Sequence, residues 1–125
     1  MNTPSNLKYA QSDEWFDPAT GAVGISDYAQ NQLSDIVFIE IFVDEGEEVT
    51  VGKPIASVES VKASSEIYSP VAGKISAVNK ALSEKPETIN TDPFGEAWMI
   101  KVEGGTQGDL MDAAAYEKHC EGRAH

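Results

Sequence analysis

Lys62 is the residue whose surroundings most favour covalent chemistry. Residues 55–61 alternate in the manner of a strand and residues 65–68 predict another, so Lys62 falls at the tip of a hairpin. A lysine at such a tip points into solvent, where an enzyme can reach it. The side chains that flank it are small and leave room for that enzyme: Ser60, Ala63 and Ser64. The chain has eight lysines, and most surface lysines only solubilise a protein. Position alone therefore does not decide whether Lys62 is a modification site or an ordinary surface residue.

The other reactive residue types form no pattern typical of catalysis. With 21 carboxylates, some pairs lie close together by chance, so an acid–base pair cannot be inferred from composition. His119, His125 and the single cysteine, Cys120, lack the spacing of a zinc site, which predicts no metal. The sequence also contains no glycine-rich phosphate loop and no nucleophile elbow. An intrinsic catalyst is therefore disfavoured.

The charge of the chain restricts its partners. Its 125 residues include 9 basic and 21 acidic side chains, a formal net charge of −12. This charge repels nucleic acid and anionic membrane surfaces, and it favours a basic docking face on another protein. Like charge also discourages self-association, which predicts a monomer.

The sequence carries no signature of export or membrane insertion. One cysteine excludes an internal disulfide, and we find neither a signal peptide nor an apolar run long enough to cross a bilayer. We therefore expect one domain over residues 1–125, located in the cytoplasm, or in the mitochondrial matrix if the source is eukaryotic.

Short strands separated by turns position the lysine. Residues 7–24 predict a hairpin around a turn at 17–21, and Ser26 predicts the start of a short helix that ends by Ser34 or Asp35. Residues 36–44 predict a strand with two faces. The apolar face carries Val37, Ile39, Ile41 and Val43, and the other face carries Phe38, Glu40, Phe42 and Asp44.

The remainder of the chain continues this pattern. A short strand is predicted within residues 46–54, another at 73–78 and a closing strand at 98–102, after which Gly104 and Gly105 end the sheet. Residues 79–97 are rich in turn residues, with at most one helical turn. A C-terminal helix is predicted at about 109–121, with Asp109 or Asp112 as its cap and with Leu110, Ala113, Ala114 and Glu117 at helical spacing. The fold class is mostly β, a small antiparallel sandwich or barrel.

Motifs along nearly the whole chain, from about residue 7 to the C-terminal helix, resemble those of the glycine cleavage system H protein family. The matching segments occur in the family's order. They are Leu7-Lys8-Tyr9, Glu14-Trp15, residues 23–30, residues 36–40, Glu59-Ser60-Val61-Lys62-Ala63, residues 67–73, Val78-Asn79, residues 89–95 and residues 98–101.

The resemblance implies a lipoyl carrier that is not itself an enzyme. In that family the lysine at the Glu-Ser-Val-Lys-Ala tip, here Lys62, carries lipoic acid in amide linkage. The implied fold is a lipoyl-domain-like flattened barrel of two antiparallel sheets, with a core at about 7–102, short helices and a C-terminal helix. About 11 single bonds at roughly 1.3 Å each give the arm a reach of about 14 Å from the lysine Cα.

The resemblance also implies a cycle with three enzymes. The arm accepts the aminomethyl group left when a pyridoxal-phosphate glycine decarboxylase releases carbon dioxide. A tetrahydrofolate-dependent aminomethyltransferase then takes the methylene and frees ammonia, and an FAD-containing dihydrolipoamide dehydrogenase reoxidises the dithiol. A separate lipoylating enzyme attaches the cofactor.

The loaded arm would benefit from a shielding groove with acceptors for its ammonium group. The candidates are Ser12, Glu14 and Glu66, and the alternative is that these carboxylates are ordinary surface residues. Trp15, Trp98 and the face with Phe38 and Phe42 are predicted to be core or groove wall rather than cofactor contacts.

The chain departs from the family's usual pattern in three places. Asp13 stands where the family usually has histidine, and the stretch between Trp15 and Val23 is shorter than is common. Residues 41–45 replace the usual Leu-Pro-Glu and are longer by a residue. The first two departures bear on the groove and the third on a loop, whereas Lys62 and its flanks keep the pattern.

Three functions remain open from the sequence. The first is the aminomethyl carrier of glycine cleavage. The second is a lipoyl donor or relay in lipoate assembly or in another lipoyl-dependent complex. The third is an unmodified acidic interaction module, which the intact tip motif disfavours. Biotin is disfavoured because Val61 and Ala63, rather than methionines, flank Lys62.

Overall fold

Strands dominate the computed structural model, which describes residues 2–123. The described strands form two antiparallel sheets, as predicted. The larger sheet has the order β1 (Lys8–Tyr9), β2 (Glu14–Phe16), β3 (Ala22–Ile25), β9 (Ile100–Gln107), β8 (Val71–Val78) and β5 (Glu48–Val49). The smaller sheet has the order β4 (Ile36–Ile41), β6 (Pro54–Ser60) and β7 (Ser64–Tyr68).

Short helical segments connect the strands. Helix α1 (Asp27–Leu33) begins after Ser26, whose hydroxyl accepts a hydrogen bond from the Ala29 amide, so the predicted cap is confirmed. The turn-rich stretch contains a 3-10 helix (Lys80–Glu84) and α2 (Thr88–Thr91), one helical segment more than predicted. Helix α3 (Ala113–Glu121) lies near the end of the chain.

The main core lies between the two sheets. Both sheets contribute buried β-branched side chains to one continuous apolar cluster, including Val23, Ile75 and Ile100 from the larger sheet and Ile39 and Ile55 from the smaller one. On β8 and β9 the buried residues of this cluster lie an even number of positions apart (Val71 and Ile75, Ile100 and Val102), which is the pattern expected of packed antiparallel sheets.

A β-bulge changes the predicted faces of β4. The pairing moves from Ile36 opposite Ser60 to Phe38 opposite Glu59, so Val37 is an extra residue in the ladder. Ile36 is buried and Val37 is 54% exposed, so the predicted apolar face is wrong at Val37. Phe38 and Phe42, predicted to be core or groove wall, are 48% and 45% exposed, so they do not belong to the core.

The end of the last strand and the start of the last helix both differ from the sequence prediction. Strand β9 continues past Gly104 and Gly105 to Gln107, because β8 is long enough to pair with it there, Val71 opposite Gln107. Residues Tyr9 and Met111 exchange backbone hydrogen bonds, which keeps the chain extended where the helix was expected to start.

Helix α3 therefore begins at Ala113, and Asp112 caps it through the Ala115 amide. The helix buries Tyr116 and Cys120, whereas Ala114 and Glu117 of the predicted spacing are exposed. Its buried face was thus misassigned by the sequence pattern.

A second apolar cluster joins the N-terminal strands to α3. The rings of Tyr9 and Tyr116 stack with their centroids 4.6 Å apart. Trp15 is buried, as predicted, and its indole N–H donates a hydrogen bond of 2.9 Å to the carbonyl of Pro93. These contacts fix the N-terminal residues against the rest of the molecule.

Gly21 allows the β2–β3 hairpin to approach β9. It has a φ of +79°, and a Cβ there would overlap the carbonyl oxygen of Val102. Its own carbonyl accepts a hydrogen bond of 2.9 Å from the Val102 amide. Only glycine meets both conditions without strain.

We predict that Gly21→Ala lowers the free energy of unfolding by about 2–5 kcal/mol, the sum of a left-handed backbone and a steric overlap. Gly46→Ala is the matched control, because Gly46 has a φ of +90° but nothing within 4 Å of its Cβ position. The control should lose only about 1–2 kcal/mol. Urea unfolding of both variants tests this, and equal losses would show that the contact with β9 is unimportant.

Candidate functional site

The tip of the β6–β7 hairpin is a three-residue loop with Lys62 at its centre. The Ser60 amide donates a hydrogen bond of 2.8 Å to the Ala63 carbonyl, which closes the loop. The Ser60 hydroxyl oxygen accepts hydrogen bonds from the amides of Ala63 (3.0 Å) and Lys62 (3.3 Å). The Val61 amide donates to the Asp35 carbonyl, which anchors the loop to the residue before β4. The loop therefore has a defined backbone although it projects into solvent.

The surroundings of Lys62 fit a covalently attached group. Lys62, Ala63 and Ser64 are all exposed, and the neighbouring side chains are short. The lysine side chain is thus accessible to a modifying enzyme from several directions, and a long group attached there would meet no bulky neighbour in the loop.

Glu14 is a buried carboxyl group on β2, with 1% of its surface exposed. The Ser12 hydroxyl donates a hydrogen bond to one of its oxygens. The backbone amide of Tyr68 donates a hydrogen bond of 3.1 Å to the other. The carboxyl group thus links the larger sheet to the end of β7 in the smaller sheet.

Burial controls the acidity of Glu14. Desolvation raises the pKa of the carboxyl group to about 7, and the charge of Asp13 contributes in the same direction. The hydrogen bonds from Ser12 and from the Tyr68 amide act in the opposite direction but do not cancel the desolvation. The group therefore changes protonation near neutral pH, which is typical of functional sites.

Of the three predicted groove residues, two are in contact and the third lies apart. Ser12 and Glu14 are hydrogen-bonded to each other, whereas Glu66 lies on β7 two residues before Tyr68 and is exposed. Ser12 and Tyr68 also line a surface cleft of about 280 Å³, together with Ala10, Gln11, Val51, Gly52, Ser69, Pro70, Asp109 and Leu110.

Residues at the C-terminus support this site, and the sequence did not indicate them. The guanidinium of Arg123 donates two hydrogen bonds, of 2.6 and 2.8 Å, to the two carboxylate oxygens of Asp13. The Tyr116 hydroxyl donates to the same carboxylate at 2.9 Å, and its oxygen lies 2.6 Å from the Ser26 hydroxyl. Asp13 itself has a φ of +81°. The departure at position 13 was the only sequence signal for this network, since the two side chains that bind the Asp13 carboxylate are more than 100 residues away.

Other chemistry has little support in the described part of the chain. Within residues 2–123, no three or more histidine, cysteine, aspartate or glutamate side chains are arranged to hold a metal ion. His125, considered above as a ligand, lies outside these residues. Burial raises the pKa of the Cys120 thiol, which disfavours the reactive thiolate. No helix in this range is long and apolar enough to span a bilayer.

Comparison with known proteins gives one consistent family. A family model described as "Glycine cleavage H-protein" matches residues 7–123. A "Glycine cleavage system H protein" from Deinococcus deserti is 50% identical, covering 94% of this chain and 97% of its own length. One from Deinococcus radiodurans is also 50% identical, covering 92% and 94%. The crystal structure of a glycine cleavage system H protein from Mycobacterium marinum superposes with a TM-score of 0.85 at 35% identity, covering 92% of this chain and 96% of that one.

The raised pKa of Glu14 predicts a pH dependence of stability. The folded state holds the proton more tightly than the unfolded state, in which the pKa is near its ordinary value of 4.5. The contribution of Glu14 to the free energy of unfolding is therefore complete below about pH 4.5, and it is lost as the pH rises to about 7. The loss has an upper limit of about 3 kcal/mol, since each pKa unit corresponds to about 1.4 kcal/mol.

Glu14→Gln removes this titration and keeps a hydrogen-bonding side chain. We expect the free energy of unfolding of the wild type, relative to Glu14→Gln, to fall between pH 4.5 and 8. Urea denaturation of both proteins across this range measures the difference, which cancels the titration of the other carboxylates. A difference in the free energy of unfolding that stays constant with pH would contradict the raised pKa of Glu14.

Proposed function

We propose a function from one premise: this chain belongs to the glycine cleavage H-protein family. Members of that family are carrier components of a multienzyme system and not catalysts. We propose that Lys62 carries lipoic acid in amide linkage and that the chain shuttles the aminomethyl group of glycine between enzymes. The observation that carries the proposal is the exposed lysine of Glu59-Ser60-Val61-Lys62-Ala63 at the centre of the β6–β7 loop.

The loop explains how the chain would present its lysine. The hydrogen bonds of Ser60 fix the backbone of Lys62 and leave its side chain free, so only the side chain needs to adapt to an active site. Lys62 would hold the lipoate, whose disulfide would supply one sulfur to take up the aminomethyl group while the other becomes a thiol; once that group has been passed on, the cofactor would remain attached as a dithiol. The protein contributes attachment, orientation and shielding.

The distance along β7 supports Glu14 as the far end of a shielding groove. Tyr68 follows Lys62 by six residues, which span at most about 20 Å at roughly 3.3 Å per extended residue, because Lys62 itself lies in the loop before β7. The reach of the lysine-bound arm, about 14 Å, together with about 6 Å for an aminomethyl group and a hydrogen bond, is similar. Glu66 lies between these two points on the same strand.

The chemistry of Glu14 suits an ammonium ligand. With a pKa of about 7, its carboxyl group is partly protonated in the free protein at neutral pH. A cation close to the carboxylate would favour the charged form and lower this pKa, so binding of the amine would ionise Glu14. Ser12 would hold one carboxylate oxygen while the amine approaches.

The partners follow from the same proposal. The chain would visit a pyridoxal-phosphate glycine decarboxylase, a tetrahydrofolate-dependent aminomethyltransferase and an FAD-containing dihydrolipoamide dehydrogenase, after a lipoylating enzyme has modified it. We place this cycle in the cytoplasm, since the similar chains described above come from bacteria.

Lipoylation is the first prediction of this proposal. Incubation with lipoate and a lipoate–protein ligase should add one lipoyl group to the wild type and none to Lys62→Arg, as measured by intact mass. Lys80→Arg is the matched control, because Lys80 is also exposed and should leave the increment intact. If the wild type gains no mass while the ligase modifies a known acceptor, the chain is an unmodified interaction module.

Shielding is the second prediction. We expect Glu14→Ala and Glu66→Ala to accelerate loss of the aminomethyl group from the loaded protein, because an acceptor for its ammonium is removed, while lipoylation stays complete. Release of formaldehyde and ammonia over time measures the decay. Glu103→Ala, an exposed carboxylate of β9, is the control. Decay rates equal to the wild type in both variants would exclude the groove.

A further inference from the structure

The side-chain amide of Asn90, on α2, uses both of its donors and its acceptor. Its two N–H groups donate to the Ser34 carbonyl (2.8 Å) and to the side-chain oxygen of Gln30 (2.9 Å). Its oxygen accepts a hydrogen bond of 2.8 Å from the Ile36 amide. Gln30 is itself oriented, because its NH₂ group donates to the carboxylate of Asp27 at 2.7 Å. A flipped Asn90 amide would face two acceptors with its oxygen and a donor with its nitrogen, so its orientation is fixed.

The backbone that carries Asn90 is held by both apolar clusters. Ile89 is fully buried in the main core. The Asn90 backbone amide donates a hydrogen bond of 3.0 Å to the Glu87 carbonyl, which closes the turn. Shortly after α2, the Pro93 carbonyl accepts the hydrogen bond from Trp15 of the second cluster. Asn90 therefore reaches the start of β4 from a segment that the core keeps in place.

A single peptide group joins Asn90 to the attachment loop. The Ile36 N–H, which donates to Asn90, and the Asp35 C=O belong to the same peptide bond. This bond is trans, so its N–H and C=O point in opposite directions within one rigid plane. The Asp35 carbonyl accepts the hydrogen bond of 3.1 Å from the amide of Val61, the residue before Lys62. By holding the N–H, Asn90 thus also fixes the direction of the carbonyl that anchors the loop.

Asn90 also holds the turn that leads into this peptide group. Ser34 ends α1 with a φ of +69°, a conformation that residues other than glycine rarely adopt. Such a conformation persists only where the surrounding contacts hold it. The Ser34 amide donates to the Gln30 carbonyl at 3.0 Å, and the Ser34 carbonyl accepts from Asn90. Loss of the Asn90 amide would free the carbonyl side of this turn and let the Asp35 carbonyl rotate away from Val61.

We propose that Asn90 is a positioning residue for the modification of Lys62. Its amide holds the Asp35–Ile36 peptide group, and that group holds Val61, so the lipoylating enzyme meets the loop in one arrangement. This inference rests on the proposed carrier function. Asn90 acts through the backbone, because none of its side-chain hydrogen bonds reaches Lys62 itself. A loop that adopts this arrangement only part of the time lowers the apparent affinity for the enzyme by the same fraction.

Amide exchange tests the loop without any modification. Asn90→Asp keeps an oxygen for the Ile36 amide but removes both N–H donors, so the turn should loosen. We expect exchange of the Val61 amide, followed by NMR in the unmodified full chain, to become about tenfold faster. The Val102 amide, which donates to Gly21 in the larger sheet, should change less than about twofold, since that sheet stays folded.

The rate of lipoylation gives the second readout, with Asn79→Asp as the matched control. The Asn79 side chain also donates to two carbonyls, those of Glu96 (2.9 Å) and Trp98 (2.7 Å), and is also half-buried. The control thus loses the same kind of bonds and adds the same charge, but its partners lie before β9. With a lipoate–protein ligase as the probe, Asn90→Asp should raise the KM for the chain about tenfold and keep kcat within about twofold. Asn79→Asp should leave both constants within about twofold of the wild type.

Gln30→Ala is a milder variant that keeps the test decisive if Asn90→Asp does not fold. It removes only the acceptor that orients the Asn90 amide, so we expect a rise in KM of roughly two- to threefold with kcat unchanged. Circular dichroism and thermal unfolding check that each variant is folded and that Asn90→Asp and Asn79→Asp lose similar stability.

Three results would overturn the proposal. Unchanged exchange at Val61 in Asn90→Asp would show that Asn90 does not hold the loop. Faster exchange with an unchanged KM would show that the ligase does not need this arrangement. An equal rise in KM for Asn79→Asp would attribute the effect to lost stability. Failure of the wild type to accept lipoate would instead refute the carrier function and with it the role in lipoylation, whereas exchange at Val61 would still show whether Asn90 holds the loop.

Discussion

Face-to-face packing of the two sheets is the constraint on which the position of Lys62 depends. The inner sides of β6 and β7 carry Val58, Ala56 and Ile67, which are buried in the main core. A slip of one residue in the β6–β7 pairing would turn these side chains to solvent, so the core selects one register. That register leaves residues 61–63 outside the strands, with Lys62 in the middle. A core remote from the hairpin tip therefore determines where Lys62 stands.

Glu14 affects both the stability of the fold and the proposed binding of the amine. A carboxyl group that is 1% exposed opposes folding when it is ionised, which the raised pKa reflects. Its hydrogen bonds with Ser12 and the Tyr68 amide offset part of this penalty and also fix the N-terminal residues beside β7. The same desolvation strengthens attraction to a cation, so the feature that destabilises the free protein suits the binding of an amine.

The network at Asp13 holds the C-terminal helix against the N-terminal strands. The ion pair with Arg123 is partly exposed, so on its own it contributes little to stability. The hydroxyl of Tyr116 and the stacked ring of Tyr9 act on the same elements, and together they hold α3 against the residues that precede Glu14. The C-terminal helix thereby supports the groove candidates without lining them.

The sequence by itself determined the fold class, most strand positions, the cap of α1 and the loop that presents Lys62, because alternation, turn residues and caps are local signals. It did not locate the bulge at Val37, the end of β9 or the buried face of α3, since each depends on a partner strand or on Met111 pairing with Tyr9. Only the tertiary structure decided that Glu14 is buried and that Phe38 and Phe42 are exposed. Burial is set by which elements cover a side chain, and a periodic pattern cannot specify that.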